Sequence, residues 1–195
     1  MACIALTKGR GLDCNRSSGG VKYIYFGVYD QFEVAGVHTL PTVVNSEVTD
    51  IEMASNVLYR YTPPRGSSQI METITGSTEN GTISYQPTVS MVLNRLSKED
   101  QNEIKLLGQT QVIIFAQLNE QLANGHDVIV ALGVTNAMAL NAGTADSGTA
   151  FADRNGYTLN FDGFEADPFP MVADYTTIPF DNAAFNFGAG NPITS

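Results

Sequence analysis

Residues 82–94 read TISYQPTVSMVLN, and this stretch decides the fold of the 195-residue chain. The odd positions are apolar, and the even positions are polar apart from Val92. Such an alternation predicts a β-strand with one face in a core and the other toward water. Pro87 cannot donate a backbone hydrogen bond, so we expect this strand to lie at a sheet edge or to bulge there.

A short helix is predicted directly after this strand, at about residues 97–107. Ser97 can accept a hydrogen bond from the backbone N–H of Asp100, and acidic residues fill the first turn. Gly108 suits the left-handed residue that ends a helix. Ile104 and Leu107 share one face, which predicts a helix lying on a sheet.

Two apolar runs follow the helix, Val112–Ala116 and Val128–Leu132. Strands that are apolar on both faces are covered on both sides, here by the helix and by an opposing sheet. Earlier in the chain, Val21–Tyr29 predicts another strand with two apolar faces, and Phe32–Val37 is its expected hairpin partner. Tyr157, Leu159 and Phe161 alternate with polar residues as in a half-buried strand.

Turn residues separate these strands. Three Asn-Gly pairs, at 80–81, 124–125 and 155–156, favour type I′ hairpin turns. Residues 135–148 are rich in Asn, Ala, Gly, Thr and Ser, and we expect a long loop there. About ten short strands and one helix predict a mainly β fold, either a β-sandwich or a β-barrel.

The chain divides into one domain and two arms. Residues 1–20 are an expected N-terminal arm, residues 21–180 a single β-rich domain, and residues 181–195 a C-terminal arm. The last segment carries Phe185 and Phe187 without periodicity, so it is either a frayed end or an arm that docks on a neighbour. No secretory signal or transmembrane segment is expected from the sequence.

The charge is acidic and uneven. The net charge is −10, and residues 109–195 hold nine acids against one base, Arg154. This balance disfavours direct binding to nucleic-acid phosphates, because no basic stripe can form over the second half. An acidic surface keeps subunits soluble, or repels DNA.

Catalytic motifs are weak. The DSGT sequence at 146–149 has the form of an aspartic-protease loop, but it lacks the apolar residues that precede such a loop and reads better as an ordinary turn. Gly9-Arg10-Gly11 is half of a dinucleotide fingerprint, with Cys14 in place of the third glycine. With no nucleophile paired to a base, we predict that the chain is not an enzyme and holds no cofactor.

Metal sites are also not predicted. Asp162, Glu165 and Asp167 offer the oxygen ligands of calcium, but their spacing matches no EF-hand loop, and a solvated acidic turn is the better interpretation. His126 is more consistent with the chemistry of a strand end than with a metal pair. Cys3 and Cys14 are expected to be reduced, although the sequence leaves open whether they pair.

The order of elements resembles that of bacteriophage tail-tube proteins, which are similar to the inner tubes of contractile injection systems. The resemblance covers roughly residues 69–166, and the opening MACIALTKGRG also resembles the start of tailed-phage virion structural proteins. It rests on the strand at 82–94, the helix at 97–107, the apolar strands at 112–118 and 128–134, and the sequence NGYTLNFDG at 155–163.

This resemblance implies a subunit that forms rings, commonly hexameric, which stack into a hollow tube. DNA passes through such a tube without specific binding, and loops and terminal arms join successive rings. The implied partners are further copies of the chain and other virion proteins, namely sheath, baseplate, terminator or connector. The implied location is the virion tail, after synthesis in the bacterial host cytoplasm, with no membrane partner.

The residues expected to take part in assembly follow from this interpretation. We expect the strands at 21–29 and 82–94 to supply the wall of the ring and the C-terminal arm to contact a neighbour. The wall residues are Tyr23, Tyr25, Ile83, Tyr85, Val89 and Met91, and the arm residues are Phe185 and Phe187. Two alternatives stay open: another virion component (head–tail connector, tail terminator or capsid-stabilising protein), or a non-viral β-sandwich binding module.

Overall fold

A computed structural model describes residues 9–11, 17–53, 57–187 and 192–195. Strands make up 48% of it, and one short helix, α1 (Lys98–Leu107), accompanies them in these ranges, so the prediction of a mainly β fold is confirmed. The strands are β1 (Val21–Val28), β2 (Glu33–Val34), β3 (Val37–His38), β4 (Thr42–Val44), β5 (Glu47–Asp50), β6 (Leu58–Tyr61), β7 (Gln69–Ser77), β8 (Thr82–Asn94), β9 (Val112–Gln121), β10 (Asp127–Leu132), β11 (Ala139–Asp146), β12 (Gly156–Asp162), β13 (Met171–Val172) and β14 (Ile193–Thr194).

The strands form two main sheets. Eight strands pair in the order β14-β6-β1-β9-β10-β13-β5-β4, and four pair in the order β11-β12-β8-β7. In the described ranges β2 and β3 pair only with each other. The outermost strands of each sheet do not meet, so neither sheet closes into a barrel and that half of the prediction is wrong. The two sheets pack as the layers of a sandwich.

The first core lies between the two sheets. It receives Ile24 and Phe26 from β1, apolar residues of β9 and β10 from the same sheet, and Met91 and Phe161 from the four-stranded sheet. Alternate residues of β8 face this core, as the period-two pattern predicts. Ile104 and Leu107 of α1 pack against it, which confirms that the helix lies on a sheet.

The second core covers the other face of the eight-stranded sheet. Ile113 and Phe115 of β9 face this side, so β9 is buried on both faces as predicted. The covering elements were not predicted, because the helix lies on the first side. Here the cover is made by segments without regular structure, which contribute Phe32, Ile51, Met53, Phe180, Phe185 and Phe187.

The helix begins and ends close to its predicted bounds. The Ser97 hydroxyl accepts a hydrogen bond from the Asp100 backbone N–H over 3.0 Å, which confirms the predicted cap. Gly108 does not adopt the expected left-handed conformation, since its φ is −70°. Its N–H instead bonds back to the Ile104 carbonyl, which continues the right-handed turn by one residue.

The tightest hairpin turns are not at the Asn-Gly pairs. Both residues of Ala35-Gly36 and of Asn45-Ser46 have positive φ, and each pair joins two strands directly. Gly81 and Gly125 also have positive φ, but they lie in longer loops. Gly156 begins β12 and is buried, so the predicted turn at 155–156 is wrong.

Three further expectations are corrected by the pairing of strands. β8 lies between β12 and β7, so it is not an edge strand, and Pro87 faces the point where β12 ends. β1 pairs with β6 and β9, and not with residues 32–37. Residues 139–146 of the expected loop form β11, which pairs along its length with β12. Small residues suit β11 because its side chains are almost all exposed.

Candidate functional site

The four-stranded sheet has two open edges. Among the residues that the structure describes, β7 bonds only to β8, and β11 bonds only to β12. The two edge strands have similar lengths, nine and eight residues, so each presents a comparable row of unpaired backbone groups. Long open edges of this kind are templates for pairing with another chain.

The outward groups of β7 can be identified from the ladder. Tyr85 exchanges both backbone hydrogen bonds with Glu165, on the β12 side of β8. Bonds alternate between the two sides of an antiparallel strand, so Gln86 bonds toward its partner Thr73 on β7. By the same alternation, Ile74 directs its backbone N–H away from β8 and into the open edge.

The outer face of this sheet is polar. It is rich in hydroxyl and amide side chains, since partners across the ladder point to the same side. Examples are Thr73, Thr75, Gln86, Thr88, Thr158 and Asn160. The strands bring the carboxylates of Asp146 and Asp162 to this face, whereas Glu72 lies on the inner face, and the four strands contain no lysine or arginine. The face is therefore weakly acidic, and Arg154 touches it only at one end, where it donates to the Thr158 hydroxyl.

The hairpin of β7 and β8 projects beyond the first core. Ile74 and Ile83 lie on the inner face of the hairpin, yet they are 61% and 58% exposed. Residues nearer the body on the same face, such as Val89, are buried. The apolar inner face of the hairpin therefore extends, at Ile74 and Ile83, beyond the part that the eight-stranded sheet covers.

The predicted wall residues divide between the interior and this hairpin. Val89 and Met91 of β8 and Tyr25 of β1 are fully buried within their own chain. Tyr23 is half-buried, with the Arg60 guanidinium over its ring. Tyr85 is half-buried and Ile83 is exposed. Among the six predicted wall residues, Ile83 presents the most accessible apolar side chain to a neighbour.

The aromatic residues of the C-terminal arm pack inward. Phe185 and Phe187 are buried in the second core, where their rings meet edge to face. A second contact of the same kind joins Phe187 to Phe180. Within one chain these two rings cover the apolar face of β9 and β10, and their contact with a neighbouring copy stays a prediction.

The carboxylates at 146 and 153 organise a loop. Asp146 accepts a hydrogen bond from the Gly148 backbone N–H over 2.9 Å, which confirms the interpretation of DSGT as a turn. Asp153 accepts hydrogen bonds from the N–H groups of Ala150 and Thr149, and these bonds lower the pKa of its carboxyl group. The loop presents Phe151, fully exposed, at its tip.

Two of the three acids considered for calcium, Asp162 and Glu165, have separate partners. Asp162 accepts from the Asn141 amide over 3.0 Å, whereas Glu165 accepts from the backbone N–H groups of Thr135 and Asn136. Across the described ranges, no three His, Cys, Asp or Glu side chains come together as metal ligands would. Cys3 and Cys14 lie outside the described residues.

His126 and Asp127 point to different partners. The His126 ring bonds to the Asp174 carboxylate over 2.8 Å and stacks on Tyr175. The bond to His126 is the main cause that lowers the pKa of Asp174. Asp127 is buried and bonds to Lys22 and to two glutamine side chains. Both residues therefore tie strand ends to neighbouring segments.

A trough of about 310 Å³ lies on the outer face of the four-stranded sheet. Its polar lining comes from Gln69, Ser90, Asn141, Asn160 and Asp162, with Met71 at one side.

None of the helices in the described part of the chain has the length and apolarity to span a membrane.

The open edges were missed by sequence reasoning. The sequence of β11 has one β-branched residue, Thr144, and no aromatic residue, so it carries no strand pattern. Which strand lies at the edge of a sheet depends on pairing with distant segments of the chain. That β7 is an edge strand becomes visible only in the structure, where side chains on both of its faces are exposed.

Comparisons with protein-family models, with curated proteins and with solved structures gave no match to this chain.

Proposed function

We propose that this chain is a structural virion protein that assembles into rings, stacked as the tube of a phage tail. The two open edges of the four-stranded sheet carry this proposal. In the order β11-β12-β8-β7 every neighbour is antiparallel, so β7 and β11 run in opposite directions. β7 of one copy could therefore pair with β11 of the next and keep the antiparallel alternation.

A head-to-tail contact of this kind closes into a ring when the rotation between copies divides a full turn. Each added copy satisfies the backbone groups that its neighbour leaves open, and only a closed ring leaves none. The exposed stripe of Ile74 and Ile83 adds an apolar reason for assembly, because a neighbour that covers it removes this surface from water.

The outer face of the sheet is suited to the inside of such a ring. Hydroxyl and amide groups, with the carboxylates of Asp146 and Asp162, would form a wall that repels phosphates weakly, with Arg154 as a cation at one end. This fits a channel through which DNA passes without binding. The resemblance of residues 69–166 to tail-tube proteins supports the same interpretation.

Negative-stain electron microscopy of the concentrated protein, with sedimentation velocity on the same sample, tests the proposal. Stacked rings or hollow tubes are the expected result. Closed rings that never stack would favour a connector or terminator of the virion. A chain that stays monomeric at every concentration would contradict self-assembly.

A second candidate function is a non-viral β-sandwich module that binds a carbohydrate. The trough on the outer face favours it, because amide and carboxylate groups around Asn160 and Asp162 are typical partners of sugar hydroxyls. A glycan array probed with the monomer tests this candidate. Specific binding that is lost in Asp162→Ala, together with an absence of rings, would support it over the tube.

A further inference from the structure

We propose that Asn80-Gly81 is a site of spontaneous deamidation, at which Asn80 becomes aspartate or isoaspartate in the folded protein. The chain has two other Asn-Gly pairs, at 124–125 and 155–156, and its fold protects both of them. The three pairs share the same local sequence chemistry, so the fold alone decides which one reacts.

The reaction needs no partner besides water. The backbone nitrogen of Gly81 attacks Cγ of Asn80, a new N–Cγ bond forms, and the Cγ–Nδ2 bond breaks. The amide nitrogen leaves as ammonia and takes up the proton that the Gly81 nitrogen gives up. Water then opens the resulting succinimide at either carbonyl, giving aspartate or isoaspartate, and no atom is oxidised or reduced. Glycine favours the attack because it has no side chain to shield its nitrogen.

Asn80 meets the steric requirements of this attack. It lies in the exposed loop at the tip of the projecting hairpin, and its backbone N–H donates to the Ser77 hydroxyl over 3.3 Å. Within the ranges that the structure describes, the Asn80 side chain makes no hydrogen bond. A Cβ built on Gly81 would meet nothing within 4 Å, so the space around the attacking nitrogen is open.

Asn124 is held by its neighbours. Its amide nitrogen donates to Asp174 and bonds to the His126 ring, and its amide oxygen accepts from the His126 backbone N–H over 3.1 Å. The nitrogen that would attack belongs to Gly125, and it already donates to the Leu122 carbonyl over 2.9 Å. Both reacting groups must lose these bonds before the ring can form.

Asn155 is held between two strands. Its amide oxygen accepts from the Leu96 backbone N–H over 2.9 Å, and its carbonyl accepts from the Arg95 N–H over 2.7 Å. Gly156 is buried in β12, and a Cβ there would lie 2.0 Å from the Leu93 carbonyl oxygen. The Gly156 backbone therefore lies tightly between β8 and β11, and the strand must open before its nitrogen can reach Cγ of Asn155.

The protected pairs can react only from locally opened states. Opening that breaks two or more hydrogen bonds is rare enough to slow the reaction about tenfold or more relative to Asn80. Each event at Asn80 adds a negative charge to the hairpin tip, and isoaspartate also lengthens the main chain there. The exposure of Asn80 is a property of the single chain, so the inference does not rest on the proposed assembly.

Peptide mapping tests the proposal directly, because trypsin separates the three pairs. Cleavage at Arg65, Arg95, Lys105 and Arg154 gives peptides 66–95, 106–154 and 155–195, each with one Asn-Gly pair. The folded protein is aged in mildly alkaline buffer and digested in H₂¹⁸O, so that deamidation during digestion carries a heavy label. Isoaspartate is counted with an isoaspartyl methyltransferase. We expect peptide 66–95 to gain acid about tenfold faster than the other two.

Two controls make the role of the fold visible. The urea-unfolded chain should deamidate at all three pairs at similar rates. Asp174→Ala removes one of the bonds that hold the Asn124 amide and should raise the rate in peptide 106–154 while leaving peptide 66–95 unchanged. Equal rates at all three pairs in the folded protein would overturn the proposal. So would an Asn80 that stays intact when folded but reacts when unfolded.

Discussion

Gln117 and Asp127 lie on neighbouring strands of the eight-stranded sheet, and the Gln117 side-chain amide donates to the Asp127 carboxylate over 2.7 Å. Both side chains are buried. Burial alone would raise the pKa of Asp127, but hydrogen bonds from Lys22, Gln117 and Gln121 outweigh it and hold the pKa below its usual value. The carboxylate is thus the acceptor around which three donors are arranged.

Asp127→Asn should destabilise the protein by about 2 kcal/mol, because hydrogen bonds to a charged acceptor are worth more than those to an amide. The free energy of unfolding in urea at neutral pH measures this loss. A change within error would mean that the carboxylate charge contributes nothing to stability.

The same pair of proteins gives a pH test. The folded pKa of Asp127 is lowered, so its contribution is complete above the ordinary carboxyl pKa of about 3.9 and is lost as the pH falls through the folded value. The stability difference between the natural chain and Asp127→Asn should therefore be constant near neutrality and shrink below about pH 4. A difference that grows on acidification would contradict this assignment.

Gly156→Ala should be strongly destabilising. A Cβ at this position would lie 2.0 Å from the Leu93 carbonyl oxygen, so β12 and β8 would have to move apart. We expect a loss of about 3 kcal/mol in the free energy of unfolding. Gly76→Ala is the matched control, since its Cβ would lie 3.7 Å from the Thr82 carbonyl, and it should change stability by less than about 0.5 kcal/mol.

Phe180→Ala tests the second core. Phe180 is 2% exposed and its ring meets Tyr25 and Phe115 edge to face, at centroid distances of 5.1 and 5.3 Å. Its removal should cost about 4 kcal/mol in thermal or urea unfolding. Phe151→Ala removes the same side chain from an exposed loop tip, and a comparable loss there would argue against packing as the cause.

Ile74→Pro tests the open edge. Proline removes the outward backbone N–H of β7 without removing a bond to β8, so the subunit should fold but fail to form rings. Ile74→Thr keeps the N–H and should still assemble, although more weakly. Sedimentation velocity compares the two variants, and circular dichroism checks that both are folded. Rings formed equally by both would rule out pairing at this edge.

Local pattern predicted the elements that have a buried face. The structure contains the strand predicted from the alternation at 82–94, the helix cap at Ser97 and the two apolar strands that follow. These features could be predicted because burial of one face and capping of a helix each require particular residue types at neighbouring positions. β11 was missed because an exposed edge strand of small residues carries no hydrophobic period.

Other features depend on distant parts of the chain. Whether a sheet closes into a barrel is decided by which strands pair, and no local pattern records this. The burial of Phe185 and Phe187 could not be predicted from a hydrophobic period, because they cover the second core from a segment without regular structure. The candidate site was unpredicted for the same reason: an open edge is a property of topology, and a residue such as Ile74 looks like any core residue in the sequence.

The cover of the second core has a consequence for biosynthesis. The central strands β9 and β10 leave the ribosome long before Phe180, Phe185 and Phe187 do, yet these rings close their second face. A nascent chain therefore carries an apolar sheet face that earlier residues such as Phe32 and Ile51 cover only in part until the last segment is made. If translation stalled before residue 180, the released product would expose apolar surface on this sheet face, and chaperones and proteases would recognise it.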